Sequence, residues 1–213
     1  MNPLKYIEAV KEGKVSANAR HEWEAKPAKN MNIATDDAEI LAKFRQESSR
    51  NWAFDQLMRK YQQRIYMHIR KMVIDHDDAD DLTQEVFVKV WHNLDKFRKD
   101  SQLFTWLYRI ASNECLNFLQ KKRRRYFLPI HDVRKELAEK LDSNSGFTGD
   151  EIQLKLQKAL LTLPDKQKLV FNMRYYDELS YEQIANITGT SVGALKASYH
   201  HAVKKIEEYL NNF

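Results

Sequence analysis

The sequence predicts an all-α fold in which two helical domains are joined by a flexible linker. Three observations carry this expectation. Five glycines and four prolines in 213 residues fall well below ordinary usage, roughly 7% and 5%, which leaves too few turn residues for a β-sandwich or barrel. From Asp36 onward, apolar residues recur at steps of three and four, the period of helices packed on one side. That recurrence breaks over residues 126–149, where Pro129 interrupts an apolar stretch and Ser143-Asn144-Ser145-Gly146-Phe147-Thr148-Gly149 gathers two of the five glycines among small polar residues.

Residues 1–35 are read as a poorly ordered extension, because they mix Lys, Glu, Ala and Asn without period and hold Pro3 and Pro27. Met31 is open to two readings, an alternative start or an ordinary internal methionine. Residues 36–125 are read as the first domain. Ile40, Leu41 and Phe44 open it, and Trp52, Phe54, Leu57, Met58, Tyr61, Ile65 and Ile69 continue at helical steps. A third helix over about 76–94 carries Ala79, Leu82, Val86, Phe87, Val90 and Trp91 on one stripe. A fourth turns Phe104, Leu107, Ala111, Cys115, Phe118 and Leu119 inward and ends in Lys121-Lys122-Arg123-Arg124-Arg125.

After the linker, 126–149, residues 150–213 are read as the second domain. An amphipathic helix over 154–163 is closed by Pro164, which with Asp165 starts another through Leu169, Val170, Met173 and Tyr176. Ser180 with Gln183 predicts a capping box, in which side chain and backbone at a helix start satisfy each other. Thr188-Gly189-Thr190 reads as a tight turn and Ser191 as the cap of a last helix carrying Val192, Leu195, Tyr199, Ala202, Ile206 and Leu210 on one face. A short helix, a turn with glycine and a longer helix form a helix-turn-helix.

Composition narrows the function. Lys and Arg number 35 against 30 Asp and Glu, a net charge of +5 that permits a polyanionic partner without requiring one. The single cysteine, Cys115, excludes an internal disulfide framework and suits a reducing compartment. No apolar run reaches the roughly 18 residues of a membrane span and no secretory leader is evident, so a cytoplasmic location is expected. Phosphate-loop, dinucleotide, nucleophile-elbow and zinc-protease motifs do not occur. A non-enzyme without cofactor or metal is expected.

Two segments point to nucleic acid. Opposite the apolar stripe of the last helix lie Gly193, Ala194, Ala197, His201 and Lys204, with Lys196, Ser198 and His200 at the shoulders. Small residues let such a face approach base edges, and Lys and His reach phosphate or purine acceptors. In the segment from His92 to Arg125, Lys96, Arg98, Lys99, Arg109 and the basic run alternate with Trp91, Phe97, Phe104, Trp106, Tyr108, Tyr126 and Phe127. Cations that track phosphate beside aromatic faces that accept unstacked bases suit a single strand. Trp106 falls off the inward stripe, on the side of Arg109, Asn113 and Asn117. The acidic stretch 75–81 resembles a metal site only superficially, since it lacks the glycine and terminal glutamate of a calcium loop. Carboxylates are favoured at a helix N-terminus by its dipole. Asp81, Gln84, Glu85 and Val88 extend a polar face suited to a basic partner helix.

Asp80-Asp81-Leu82-Thr83-Gln84-Glu85-Val86-Phe87, then Trp91, then Phe104-Thr105-Trp106-Leu107-Tyr108-Arg109-Ile110-Ala111 with Asn113 and the basic run, resembles region two of bacterial RNA polymerase sigma factors of the extracytoplasmic-function class. Leu163-Pro164, Tyr181 with Ile184-Ala185, and Val192-Gly193-Ala194-Leu195-Lys196 resemble region four. The resemblance implies a region 2-like bundle and a region 4-like helix-turn-helix domain in a specificity subunit that binds core RNA polymerase, recognises promoter DNA and promotes its opening. It implies core binding by Asp81, Gln84 and Glu85. Minus-ten contacts map to Lys96, Arg98, Trp106, Arg109, Asn113, Asn117, Lys121 and Arg124, with a base held by the loop 95–102. Minus-thirty-five contacts map to Ser191, Lys196, Ala197, Ser198, His200, His201 and Lys204. An anti-sigma factor is an implied partner; a small-molecule substrate is not. Ala194, Ala197, Ser198 and His201 depart from the Thr, Ser and Arg frequent in the family, and Asn117 stands where Asp is frequent. A recognition helix poor in arginine predicts a T-rich or shape-read element.

Two other readings compete. An operator-binding helix-turn-helix regulator would bind duplex without polymerase, and a metal-dependent nuclease would need a second carboxylate site that the sequence lacks. The charge is local: residues 144–213 hold 8 basic and 8 acidic side chains and the first 143 hold 27 and 22. The five cations of 121–125 equal the whole excess, which reads as a phosphate clamp.

Overall fold

The computed structural model describes residues 36–97, 101–125 and 151–212, in which the chain forms eight α-helices and two 3₁₀ turns. The expected extension and linker lie outside the described residues. Helix α1 (Asp37–Phe44) buries Ile40, Leu41 and Phe44. Its start is tied to α2 (Arg50–Val73), because the Asp37 carboxylate accepts from the Tyr61 hydroxyl at 2.8 Å and from Lys60 at 2.7 Å. Phe44 and Phe54 both meet Trp91 edge to face, at 5.3 and 4.9 Å between ring centroids.

The inward stripe of α2 runs through Ala53, Leu57, Tyr61, Ile65, His68, Ile69, Met72 and Val73. Trp52 was expected on that stripe but is 44% exposed. Stepping back one helical turn from Leu57 lands on Ala53, so Trp52 points outward. α2 ends at Ile74, whose φ is +69°. The Asp75 amide donates to the Val73 carbonyl at 2.8 Å, closing a γ-turn on a β-branched residue. Such a conformation costs on the order of 1–3 kcal/mol and persists where packing holds it; Ile74 is buried. Asp75 then caps α3 (His76–Asn93) by accepting from the Asp78 amide at 3.0 Å.

Helix α3 buries Ala79, Leu82, Val86, Phe87 and Val90, as its period predicts, with Thr83 beside them, whereas Trp91, expected on the same stripe, is half-buried. A 3₁₀ turn (Leu94–Lys96) follows, with Asp95 paired to Arg50. Then α4 (Leu103–Arg125) packs Leu103, Leu107, Tyr108, Ala111, Cys115 and Leu119 against α2 and α3.

In the second half, α5 (Glu151–Leu161), α6 (Asp165–Tyr175), α7 (Tyr181–Thr188) and α8 (Val192–Asn211) form the helix-turn-helix unit. The predicted capping box is present: Ser180 Oγ accepts from the Gln183 amide at 3.1 Å, and Gln183 Oε1 accepts from the Ser180 amide at 2.8 Å. Gly189, at φ +70°, closes α7, and Ser191 Oγ accepts from the Ala194 amide to start α8. Phe171 centres a cluster with Leu156, Leu160, Ala202, Val203 and Ile206.

The two halves are docked. α6 lies against α2 and α4, and α7 against α4. Leu169, Val170, Met173, Leu179, Ile184, Ile187 and Leu195 belong to the same buried cluster as the core of α1–α4. Consequently Lys168 through Met173 are all buried, a pattern that no amphipathic stripe foretells.

Candidate nucleic-acid interface

Of the residues expected to meet a separated strand, Trp106, Arg109, Asn113, Asn117, Lys121 and Arg124 share one face of α4, within an arc of about 120°. All but Trp106 are exposed. Trp106 is half-buried, its ring 5.4 Å from that of Phe97. Lys96 is exposed beside this face, and Arg98 lies outside the described residues. Beside the start of α4 a cavity of about 580 Å³ is lined by Tyr61, Arg64, Phe97, Gln102 and Phe104, together with Gln183 of α7. Arg64 sits 4.2 Å over the Phe104 ring, which brings a cation and an aromatic face together at one opening.

Several of the cations here also bond within the protein. Arg109 donates to the Asn186 carbonyl of α7. Lys122 pairs with Asp78 at 2.9 Å, and Arg123 with Asp165 at the start of α6 at 2.6 Å. The expected phosphate clamp is thus divided in this state, with Lys121 and Arg124 outward and two cations engaged within the protein.

On α3, Asp81, Gln84 and Glu85 are exposed beside Val88, which is 56% exposed. A large aliphatic side chain amid acids and amides is the composition of a docking stripe. The neighbouring acidic stretch is occupied otherwise: Asp75 caps α3, Asp78 binds Lys122, and Asp80 lies 3.6 Å from His76. Among the described residues no three His, Cys, Asp or Glu side chains are grouped to hold a metal.

On α8, Lys196, Ala197, His200, His201 and Lys204 are exposed and Ser198 is half-buried. Ser191 spends its oxygen on the helix cap, and Lys196 lies 5.8 Å over the Tyr181 ring. Small residues at Gly193, Ala194 and Ala197 leave the first turns of this face shallow.

The sequence reading missed a polar cluster between the halves. His68, fully buried, bridges Ser112 Oγ and Asp177 Oδ2, each at 3.0 Å, and Lys71 reaches Asp177 Oδ1 at 3.0 Å. Burial pushes the Asp177 carboxyl up, but the hydrogen bonds and charges of His68 and Lys71 outweigh it and hold the carboxyl below its ordinary value. Ser112, His68 and Asp177 follow the order of a hydrolase triad. Ser112 is only 3% exposed and donates to the Tyr108 carbonyl at 2.6 Å, so no substrate reaches it. A histidine on the apolar stripe of α2 was the one signal available beforehand. Cys115 is also sealed, its thiol pushed up to about 12 by burial.

Residues 57–125 match the family model of sigma-70 region 2, and residues 153–206 that of sigma-70 region 4. The RNA polymerase sigma-H factor of Pseudomonas aeruginosa is 34% identical over 168 residues, 74% of this chain and 86% of the relative. The chain belongs to the sigma-70 factors of RNA polymerase. SigW of Bacillus subtilis, an ECF RNA polymerase sigma factor, is 30% identical over 75% of this sigma factor and 90% of its own length. The ECF RNA polymerase sigma-E factor of Escherichia coli is 32% identical over 73% of the chain and 85% of its own length. Among solved structures, CnrH in complex with the cytosolic domain of CnrY shares the fold at TM-score 0.59 and 24% identity, covering 81% of this sigma factor and 96% of that chain. RpoE of Bartonella quintana, solved with the anti-sigma factor NepR, does so at TM-score 0.57 and 24% identity, over 74% and 96%. Region 2 spans the later turns of α2 through α4, and region 4 spans α5 through most of α8.

Proposed function

We propose that this sigma factor docks on core RNA polymerase through Asp81, Gln84, Glu85 and Val88. The α4 face from Trp106 to Arg124 then takes the separated minus-ten strand, and α8 reads the minus-thirty-five duplex through Lys196, Ala197, Ser198, His200, His201 and Lys204. The observation that supports this most directly is the sorting of exposed chemistry by helix. Acids and an aliphatic side chain lie on α3, cations with amides and an aromatic on α4, and small and basic residues on α8. Opening requires unstacking at a few kcal/mol per step, which aromatic and phosphate contacts to the separated strand offset. Contacts to duplex on α8 supply register.

The role needs no catalytic step, no cofactor and no small-molecule substrate. It places the protein in the cytoplasm with the polymerase, and among the described residues no helix is long and apolar enough to cross a membrane. An anti-sigma factor is proposed as a further partner by analogy with the solved complex of RpoE with NepR.

Promoter-dependent transcription with purified cognate core polymerase tests the reading. Glu85→Lys is expected to weaken core binding roughly tenfold, about 1.4 kcal/mol, by placing a cation against a basic partner. Trp106→Ala is expected to spare core binding and slow opening by about fivefold or more, the worth of one lost stacking contact. Loss of core affinity in Trp106→Ala would refute this division, and absence of promoter-dependent initiation by the wild type would refute the function.

A further inference from the structure

Among the described residues the exposed large apolar side chains are Trp52, at 44%, and Val88, at 56%. Single apolar residues on a surface are ordinary, whereas apolar residues that converge on one groove mark a binding site. Tryptophan is foremost among the side chains that anchor protein interfaces. Val88 lies on the α3 stripe already assigned to core polymerase. Trp52 precedes the residues 57–125 that match region 2, so the family match gives it no role.

Helical geometry brings the two together. α2 and α3 form an antiparallel pair: Tyr66 meets His76 at 2.7 Å near the turn that joins them, and Phe54 meets Phe87 and Trp91 at the far end, at 6.4 and 4.9 Å between ring centroids. Between the helices runs an open groove of about 510 Å³, lined by Met58, Arg59 and Gln62 of α2 and by Asp80, Thr83 and Gln84 of α3. Trp52 comes seven residues before Arg59, which returns it to within about 20° of the same face. Val88 comes four residues after Gln84, about 40° away. Both stand at the end marked by Phe54, so they flank the continuation of the groove from opposite sides. From Tyr66 to Trp52 the α2 wall measures about 21 Å at roughly 1.5 Å per residue, room for about four turns of a partner helix.

The charges narrow the kind of helix. Asp55, one heptad before Gln62, is exposed on the α2 wall, and Asp80, Asp81 and Glu85 are exposed on α3. Against these four carboxylates the groove sets the Arg59 guanidinium, a balance that selects a basic partner. Met58, half-buried in the groove, is an unbranched side chain that adjusts to what lies on it.

We propose that core polymerase is bound by the whole α2–α3 groove, with Trp52 as its anchor: a basic helix of core lies along the groove and covers the Trp52 and Val88 side chains together. The α3 stripe is one wall of this site and α2 is the other. That core is the occupant rests on the function proposed above; that the groove and its two apolar flanks form one site does not.

The test measures the affinity of the full chain for purified cognate core polymerase. Trp52→Ala is expected to weaken binding about tenfold or more, the effect of truncating an interface anchor, while keeping the helical circular dichroism of the wild type. Arg59→Gln is expected to tighten binding about twofold or more, because it removes a cation that faces a basic partner. If Trp52→Ala loses its helical signal, a photoreactive benzoylphenylalanine at position 52 decides the point: light-dependent linkage to core supports the site, and no linkage overturns it. Unchanged affinity in folded Trp52→Ala overturns the inference, and weakened binding in Glu85→Lys then leaves the functional reading standing. Unchanged or weaker binding by Arg59→Gln overturns the basic helix. A wild-type chain that binds no core overturns the functional reading, and with it the assignment of core to the groove.

Discussion

Asp177 shows how one side chain joins two halves of a molecule. With its side chain only 6% exposed, it accepts from Lys71 and His68 at the same time. Removing it takes a charged acceptor from both in a place that water barely reaches, leaving His68 with Ser112 and Lys71 beside the Tyr176 ring. Asp177→Ala should therefore lower stability by on the order of 3 kcal/mol, the range for breaking a buried pair from one side. Its pH dependence has a definite sign. The folded carboxyl titrates below its ordinary value, so its contribution is fully present above the unfolded value near 3.9 and is lost as pH falls through the lower folded value. In denaturant titrations at stepped pH, the gap between wild type and Asp177→Ala should stay constant from neutrality to about pH 5 and close below about pH 4. A gap that closes between pH 6 and 8 would mean that another group governs the contact.

Among the elements, the glycines on either side of the recognition turn separate backbone cost from side-chain crowding. A Cβ added at Gly189 or Gly193 meets nothing within 4 Å, so sterics against neighbours decide neither case. Gly189 sits at φ +70°, where an L-residue costs roughly 1–2 kcal/mol. Gly193 lies in the first turn of α8, where alanine removes a helix penalty of roughly 0.5–1 kcal/mol. Gly189→Ala should lower the thermal midpoint by about 2–4 °C or more, and Gly193→Ala should raise it by about 1–4 °C; the same direction of change in both would sink the argument. Both positions were legible in the sequence, as were the capping box at Ser180 and the stripes of α3 and α4, because caps, turns and periods are local chemistry. Trp52 was misplaced because two adjacent apolar residues offered the stripe a choice and the register of Leu57 settled it. His68, Lys168, which donates to the Met72 carbonyl, and Asn172, which donates to that of Lys71, were passed over for a different reason: their partners lie about 100 residues away in the chain, and no local pattern encodes a carbonyl answered from another helix.

For the whole molecule, the docked state changes what the charge excess means. Residues 121–125 supply five cations, yet the structure commits them unequally. Lys121 and Arg124 are exposed, Lys122 is held by Asp78 inside the first half, and Arg123 is held by Asp165 across the two halves. If the halves separate when the promoter binds, Arg123 loses its carboxylate and becomes available to phosphate, whereas Lys122 keeps the partner it has. Each phosphate contact on a single strand contributes about 0.7 to the slope of log affinity against log salt. Arg123→Gln should therefore lower the slope of the promoter complex by roughly 0.7, and Lys121→Gln or Arg124→Gln by a similar amount, while Lys122→Gln should leave it nearly unchanged. Affinity measured by fluorescence anisotropy from about 50 to 200 mM salt, the range in which counterion release dominates, checks this. Equal slopes for Arg123→Gln and wild type would mean that the Asp165 pair survives in the complex and that the halves stay docked there. A reduced slope for Lys122→Gln would place the clamp on the whole basic run.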